Sequence, residues 1–306
     1  MTKGLEVAQD FFQHWGLPFL QKEYPHLVDR VASLICGGSQ SLGNDDELSR
    51  DHGWGPHFDL VLTGEDMKCY GRSLERQINE AAPNEWRGYT CRHVVGTRYA
   101  TSIPVASINP WFKNYVGCSH PPKADRDWFI GMSGDYLYML RHATVFHDPL
   151  GEFSSRRQAF HYYPERAWLR WIVHVLYQVW HYGQYNFLER LTRRQDSVAI
   201  IVCIGQFTKY VMRLYMLLAR DYIPYWKWLA AEFRKLSDVA QIDAWLRELS
   251  TAREIESQAS LIRSINSEIH SRLSSQLDLN PDPKEHPHPL YCAKEELAER
   301  IGGEWY

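Results

Sequence analysis

The residues best suited to chemistry lie in one segment, Leu34 to Leu62, LICGGSQSLGNDDELSRDHGWGPHFDLVL. Its opening apolar run stops at Gly37-Gly38-Ser39. Two glycines let the backbone approach a ligand closely, and Ser39 adds a hydroxyl beside amides that can cradle a phosphate. A tight turn after a strand would read the same way. Ser49-Arg50-Asp51-His52 follows ten residues later. An imidazole at His52 has the chemistry of a general base near neutral pH or of a metal ligand, or it pins the loop. Asp45, Asp46 and Glu47 can reach a metal through water, yet an acidic trio ahead of Leu48 reads better as the solvated first turn of a helix.

A second set of candidates lies in the C-terminal half. Lys209 and Arg213 are four residues apart and share a helix face, and with Tyr225 and Lys227 they offer cations and a ring to a triphosphate or another anion. Gly183-Gln184-Tyr185-Asn186 combines amide groups with an aromatic ring, a set suited to stacking on and hydrogen-bonding a base or organic substrate. Its plainer reading is a turn between helices. The sequence has no GxSxG elbow, P-loop or HExxH motif, and no metal is assigned to His286-Pro287-His288.

The order of Gly-Ser turn, acidic motif and second strand resembles the nucleotidyltransferase superfamily, where a Gly-Ser turn after one strand is followed by Asp-x-Asp on the next. LGNDDELSRDHGWGP is also similar to an uncharacterised family related to these enzymes, with a Leu-Gly-x-Asp-Asp-Glu-x-Ser-x-Asp-His segment ending in Trp-Gly-Pro. The likeness continues in Phe146-His147-Asp148-Pro149-Leu150-Gly151-Glu152-Phe153, Tyr162-Tyr163-Pro164-Glu165, Gly183-Gln184-Tyr185-Asn186 and Tyr222-Ile223-Pro224-Tyr225-Trp226-Lys227-Trp228, and so covers about 32 to 236.

The resemblance implies a Mg2+- and NTP-dependent transferase. Gly38, Ser39 and their amides would hold the phosphates, Asp51 would be the first metal-binding carboxylate, and Lys209 or Lys227 would meet the leaving phosphates. Carboxylates suit magnesium, a hard cation that prefers oxygen, and two metals would organise in-line attack on the α-phosphate. The second carboxylate of the motif falls on Gly53, which carries no ligand. Asp59, eight residues after Asp51, can replace it if Gly53-Trp54-Gly55-Pro56 bulges outward. The third is missing from the strand expected at Ile103 to Ile108, which leaves Asp125 and Asp127. Two alternatives follow: metal-independent acid and base catalysis by Asp51, His52 or Asp59 on a small organic substrate, and a non-catalytic nucleotide-binding module.

The elements that must position these residues follow from periodicity. Apolar spacing over 5 to 15 and 19 to 31, interrupted by Gly16 and Pro18, predicts a helical hairpin. Strands are expected at Ala32 to Cys36, Phe58 to Leu62 and Ile103 to Ile108, and helices at 72 to 82 and 111 to 115. From Pro164 onward successive aromatic-rich helical segments replace strand signals, and Asp278 to Pro289 reads as a proline-rich linker before a closing helix at 293 to 301. The expected fold is α+β: a nucleotidyltransferase-like mixed sheet with flanking helices over 1 to 158, then an α-helical bundle over 159 to 306, with the active site between the two.

Composition narrows the partners. The chain has 306 residues, 44% apolar and 23% charged, with net charge −3; that balance provides no extended basic surface for nucleic acid. A small-molecule acceptor fits better. Six scattered cysteines without a CxxC pair read as reduced thiols. The first residues lack a secretory signal, and Val198 to Ile204, the most apolar run, is too short to span a bilayer and reads as core. A cytoplasmic protein without a membrane partner is the expectation.

Overall fold

In the computed structural model, which describes residues 3–51, 53–95, 98–101, 103–279 and 287–303, the alternation of Phe58, Leu60 and Leu62 with Asp59 and Val61 decides how the first strands pack. The first three side chains are fully buried in one core, while Asp59 and Val61 point to the opposite face because strand side chains alternate. The chain divides into two units, 1–127 with 131–161, and 128–130 with 162–306. The architecture is α+β, with all strands among the described residues in the first unit.

Among the described residues the first unit has eight strands: β1 Ala32–Ile35, β2 Asp59–Leu62, β3 Glu85–Trp86, β4 Tyr89–Thr90, β5 Arg92–Val95, β6 Arg98–Thr101, β7 Val105–Ser107 and β8 Thr144–His147. Four form a mixed sheet in the order β7-β2-β1-β8, and the others make two small hairpins. β1 lies antiparallel to both β2 and β8, and β7 runs parallel to β2. Helix Gly64–Ala81 buries Leu74 and Ile78 in the core that holds Phe11, Phe12 and Phe58. Phe112, on helix Ile108–Val116, packs with Phe153 and Phe160 at ring separations of 5.2 and 5.6 Å.

The expected N-terminal hairpin is instead one continuous helical run, Gly4–Phe11, a π-helical stretch Phe12–Gly16, then Leu17–Glu23. Proline clashes with the carbonyl four residues earlier, here that of His14, and His14 lies in the widened π stretch. Gly16 is needed for close packing: a Cβ there would stand 2.6 Å from the Phe58 ring.

The second unit is a helical assembly: Glu165–Trp180, the π-helical His181–Leu191, Thr192–Arg194, Ser197–Leu218, Trp226–Phe233, Ala240–Thr251, Ile255–Leu277 and Pro289–Arg300. Residues 280–286 of the expected linker lie outside the described residues. Gly183 is no turn. It sits within the π-helical stretch, where a Cβ would come 2.5 Å from Phe207 and 3.4 Å from Asn266 Oδ1. Gly183→Ala is therefore expected to lower the stability of this unit by about 2 kcal/mol, since overpacking outweighs the better helix propensity of alanine. Urea denaturation followed by circular dichroism checks this, and an unchanged or raised midpoint would contradict it.

The apolar run Val198 to Ile204 is only partly core. It opens a 22-residue helix that buries Ile200 and Cys203 while Val198, Ile201 and Val202 face outward. By length and composition alone this helix could cross a membrane. All six cysteines are free thiols.

Candidate functional site

The Gly-Gly-Ser turn forms where β1 ends. Gly37 and Gly38 take φ of 106° and 75°, left-handed values that a side chain resists, and they lead into a short helical turn, Gly38–Ser41, whose start no side chain caps. Gln40 is buried beneath the turn. Its Oε1 accepts from the Gly55 backbone N–H at 2.9 Å and its Nε2 lies 3.3 Å from His57 Nε2. The loop after Asp51 is thus held against the turn, and a side chain at Gly38 would come within 3.8 Å of the Gly53 carbonyl oxygen. Gly53 and Gly55 both have positive φ, as an outward excursion of this stretch requires.

Asp59 opens β2 opposite Leu34 of β1, three residues before Gly37. It is half-buried, and Trp111 Nε1 donates to its Oδ2 at 3.4 Å. No Lys or Arg forms an ion pair with it among the described residues. Burial pushes its carboxyl up to about 6, with the Trp111 hydrogen bond opposing the rise. The thiol of Cys36 shares this environment: burial raises it to about 12, although a hydrogen bond from Tyr115 works the other way. That thiol is inert at neutral pH. Tyr115 stacks on Trp111 at 4.9 Å and 8°, and its hydroxyl would meet a side chain at Gly37 at 3.2 Å. Trp111 and Tyr115 are not among the residues the sequence points to, since a spacing of four on a helix is shared by ordinary core aromatics.

Asp51 ends a 3-10 turn, Leu48–Asp51, ahead of the strand, so the acid on β2 is Asp59. His52 and the Asp51 side chain lie outside the described residues. The acidic trio divides: Asp46 and Glu47 are exposed and lead into the 3-10 turn, as expected of a solvated helix start, whereas Asp45 is not solvated. Asp45 is buried and accepts from the Gly4 N–H and from Trp54 Nε1, both at 2.8 Å, with Lys3 Nζ at 3.4 Å. Burial opposes ionisation of Asp45, but these hydrogen bonds and the Lys3 charge together hold its carboxyl below the ordinary range. Asp46 accepts from the Ser49 N–H at 3.0 Å and closes the 3-10 turn. Asp125 and Asp127 stand in the first turn of helix Asp125–Ile130. Among the described residues no group of three or more His, Cys, Asp and Glu could hold a metal ion.

In the second unit, Gln184, Tyr185 and Asn186 already have partners. Gln184 Nε2 donates to the Pro287 carbonyl, Asn186 Nδ2 to that of His181 at 2.8 Å, and the Arg190 guanidinium lies 3.5 Å above the Tyr185 ring. Tyr225 precedes helix Trp226–Phe233, is 46% exposed and packs on Trp226. Lys227 is exposed, with its Nζ 4.9 Å from the Trp228 ring. Lys209 lies on helix Ser197–Leu218, where burial and then the Arg213 charge pull its ammonium below the ordinary lysine range.

Comparison with known proteins adds the following. A family model described as Domain of unknown function (DUF4037) matches residues 129–229, a stretch that contains Gln184, Lys209 and Tyr225 but not Gly38, Ser39, Asp51 or Asp59. No curated protein matches the chain. Among solved structures the chain is similar to a nucleotidyltransferase-like protein from Exiguobacterium sibiricum 255-15, with 8% identity and a TM-score of 0.40 over 97% of this chain and 90% of that chain.

Proposed function

We propose that the site on the first unit binds a magnesium nucleoside triphosphate and transfers its nucleotidyl group to a hydroxyl or amine of a small-molecule acceptor. The observation that carries this reading is Asp59: a half-buried carboxylate beside the Gly37–Ser39 turn, with one long hydrogen bond and no cation among the described residues to offset its charge. An anion so placed is costly unless something positive meets it. A hard divalent cation fits, with Asp51 as the second carboxylate and Gly53 contributing no side chain.

The chain's own residues have separable tasks. Gly37 and Gly38 leave the turn open to close approach, and the amides of the turn with the Ser39 hydroxyl orient the phosphates. Trp111 fixes the direction of the Asp59 carboxylate. When bound, magnesium would neutralise charge on the transferring group. The new bond joins the acceptor oxygen or nitrogen to the α-phosphorus, the bond to the β-phosphate bridge breaks, and pyrophosphate leaves. Holding these groups in line supplies much of the rate.

A second reading is favoured by the same carboxyl, raised to about 6 in a site walled by Trp111 and Tyr115. In it Asp59 acts as a metal-independent acid or base on a small organic substrate. Thermal unfolding separates the two. A ligand at a hundredfold excess over its Kd stabilises by about 2.7 kcal/mol, so at least one NTP with Mg2+ should raise the wild-type midpoint by several degrees and leave Asp51→Ala unmoved. No shift with any NTP, with or without Mg2+, would count against the transferase and for the second reading, and equal shifts with and without Mg2+ would point to a non-catalytic nucleotide-binding module.

A further inference from the structure

The helix Ser197–Leu218 does not bury its whole apolar circumference. Ile201 is 72% exposed, and Trp226 at the start of the next helix is 68% exposed. Between them lies a groove of about 530 Å³, walled by Ile201, Ile204, Met212, Trp226 and Leu229. That volume falls within the range of small-molecule sites, and gathered apolar exposure marks binding surfaces. Four polar side chains interrupt the wall, Thr208, Lys209, Ser250 and Gln258, and of these Lys209 alone carries a charge. Lys209 makes no ion pair among the described residues, and its Nζ lies 5.3 Å from the centre of the Tyr210 ring. Gln258 is 7% exposed; its Nε2 donates to the Ala252 carbonyl at 2.8 Å, while its Oε1 has no hydrogen-bond partner.

We infer that this groove binds a small organic acid, an apolar body with one anionic group that meets Lys209. A single ammonium in an apolar wall matches a single negative charge; a triphosphate would face the same wall with charges unmet. A flat partner surface would leave the groove unfilled and Lys209 without a counter-charge. The occupant therefore differs from the nucleotide proposed for the first unit, and this site does not depend on that reading. Lys209 is reassigned from leaving phosphates to an organic anion.

Gly205 makes the inference testable in the full chain. It lines the groove, and a Cβ built there meets nothing within 4 Å. Gly205→Leu therefore starts a side chain into the groove from a Cβ position that meets no atom, and leucine is the better helix former. The probe is 8-anilinonaphthalene-1-sulfonate, an apolar anion that fluoresces out of water, with decanoate and decanol as competitors. Expected are one saturable site per chain, displacement by decanoate at least tenfold more effective than by decanol, and about tenfold weaker binding in both Gly205→Leu and Lys209→Met. Thermal midpoints of the variants establish that they are folded. Probe binding unaffected by Gly205→Leu, or decanol competing as well as decanoate, would overturn the proposal. So would a wild-type mass by light scattering twice that of Gly205→Leu, or sedimentation with neutral lipid vesicles that Gly205→Leu abolishes, since the groove would then seat a second copy or a membrane.

Discussion

At pH 8, Asp59→Asn is expected to be more stable than the wild type by about 2 kcal/mol and to have lost all nucleotide-dependent behaviour. Burial raises the folded-state pKa of Asp59 to about 6, against an ordinary aspartate value near 4. Between those values the folded state holds the proton more tightly, so stability falls as pH rises through the interval, and above it the full cost of the buried charge is present. Asparagine is isosteric, keeps an acceptor for Trp111 Nε1 and carries no charge, so it removes that cost. The gain should be mostly gone by pH 4, where the wild-type carboxyl is protonated when folded. Urea denaturation at both pH values reads it directly. A site residue whose replacement stabilises the fold while removing function is the signature of strain kept for binding. A variant less stable than wild type at pH 8 would show that Asp59 is held by structure alone.

Asp45→Ala should act in the opposite sense, with a loss of about 3 to 4 kcal/mol. The substitution strands two buried donors, the Gly4 N–H and Trp54 Nε1, and leaves Lys3 without its ion pair; each stranded donor costs about 1 to 3 kcal/mol. Asp45 ties the start of the first helix to the loop that carries Asp51, so loosening it should also weaken any ligand response of the turn. Because the carboxyl is held below its ordinary range, its contribution is present above about pH 4 and lost as pH falls through the folded-state value. Asp45→Asn, which keeps an acceptor without charge, should lose that acid sensitivity. Equal stability of Asp45→Ala and wild type at pH 7 would contradict the account.

These residues also show where sequence stops informing. The strands at Ala32 and Phe58 were readable because continuous apolar runs ended at glycine or alternated with period two, and the structure has β1 and β2 there. Asp45 was misread because its partners, Lys3 and Gly4, are about forty positions away, and a local acidic run carries no trace of them. Gly16 and Gly183 look like chain breakers, yet each is a point where a ring, Phe58 or Phe207, packs against helical backbone. β8 escaped notice because Thr144–His147 is half-buried throughout and shows neither alternation nor a continuous apolar run. Within the candidate site, Gly37, Gly38 and Asp59 were visible as residue types. The Trp111 and Tyr115 pair that encloses them reads in the sequence as ordinary core.

In the proposed function the Gly37–Ser39 turn and Asp59 together receive a magnesium nucleotide. Calorimetric titration of the intact protein with ATP, GTP, CTP and UTP, each with and without Mg2+, tests it most directly, with Asp59→Asn alongside. Saturable binding of at least one nucleotide that requires Mg2+ and disappears in Asp59→Asn is the predicted result. No binding of any nucleotide, or binding that Asp59→Asn retains in full, would contradict it.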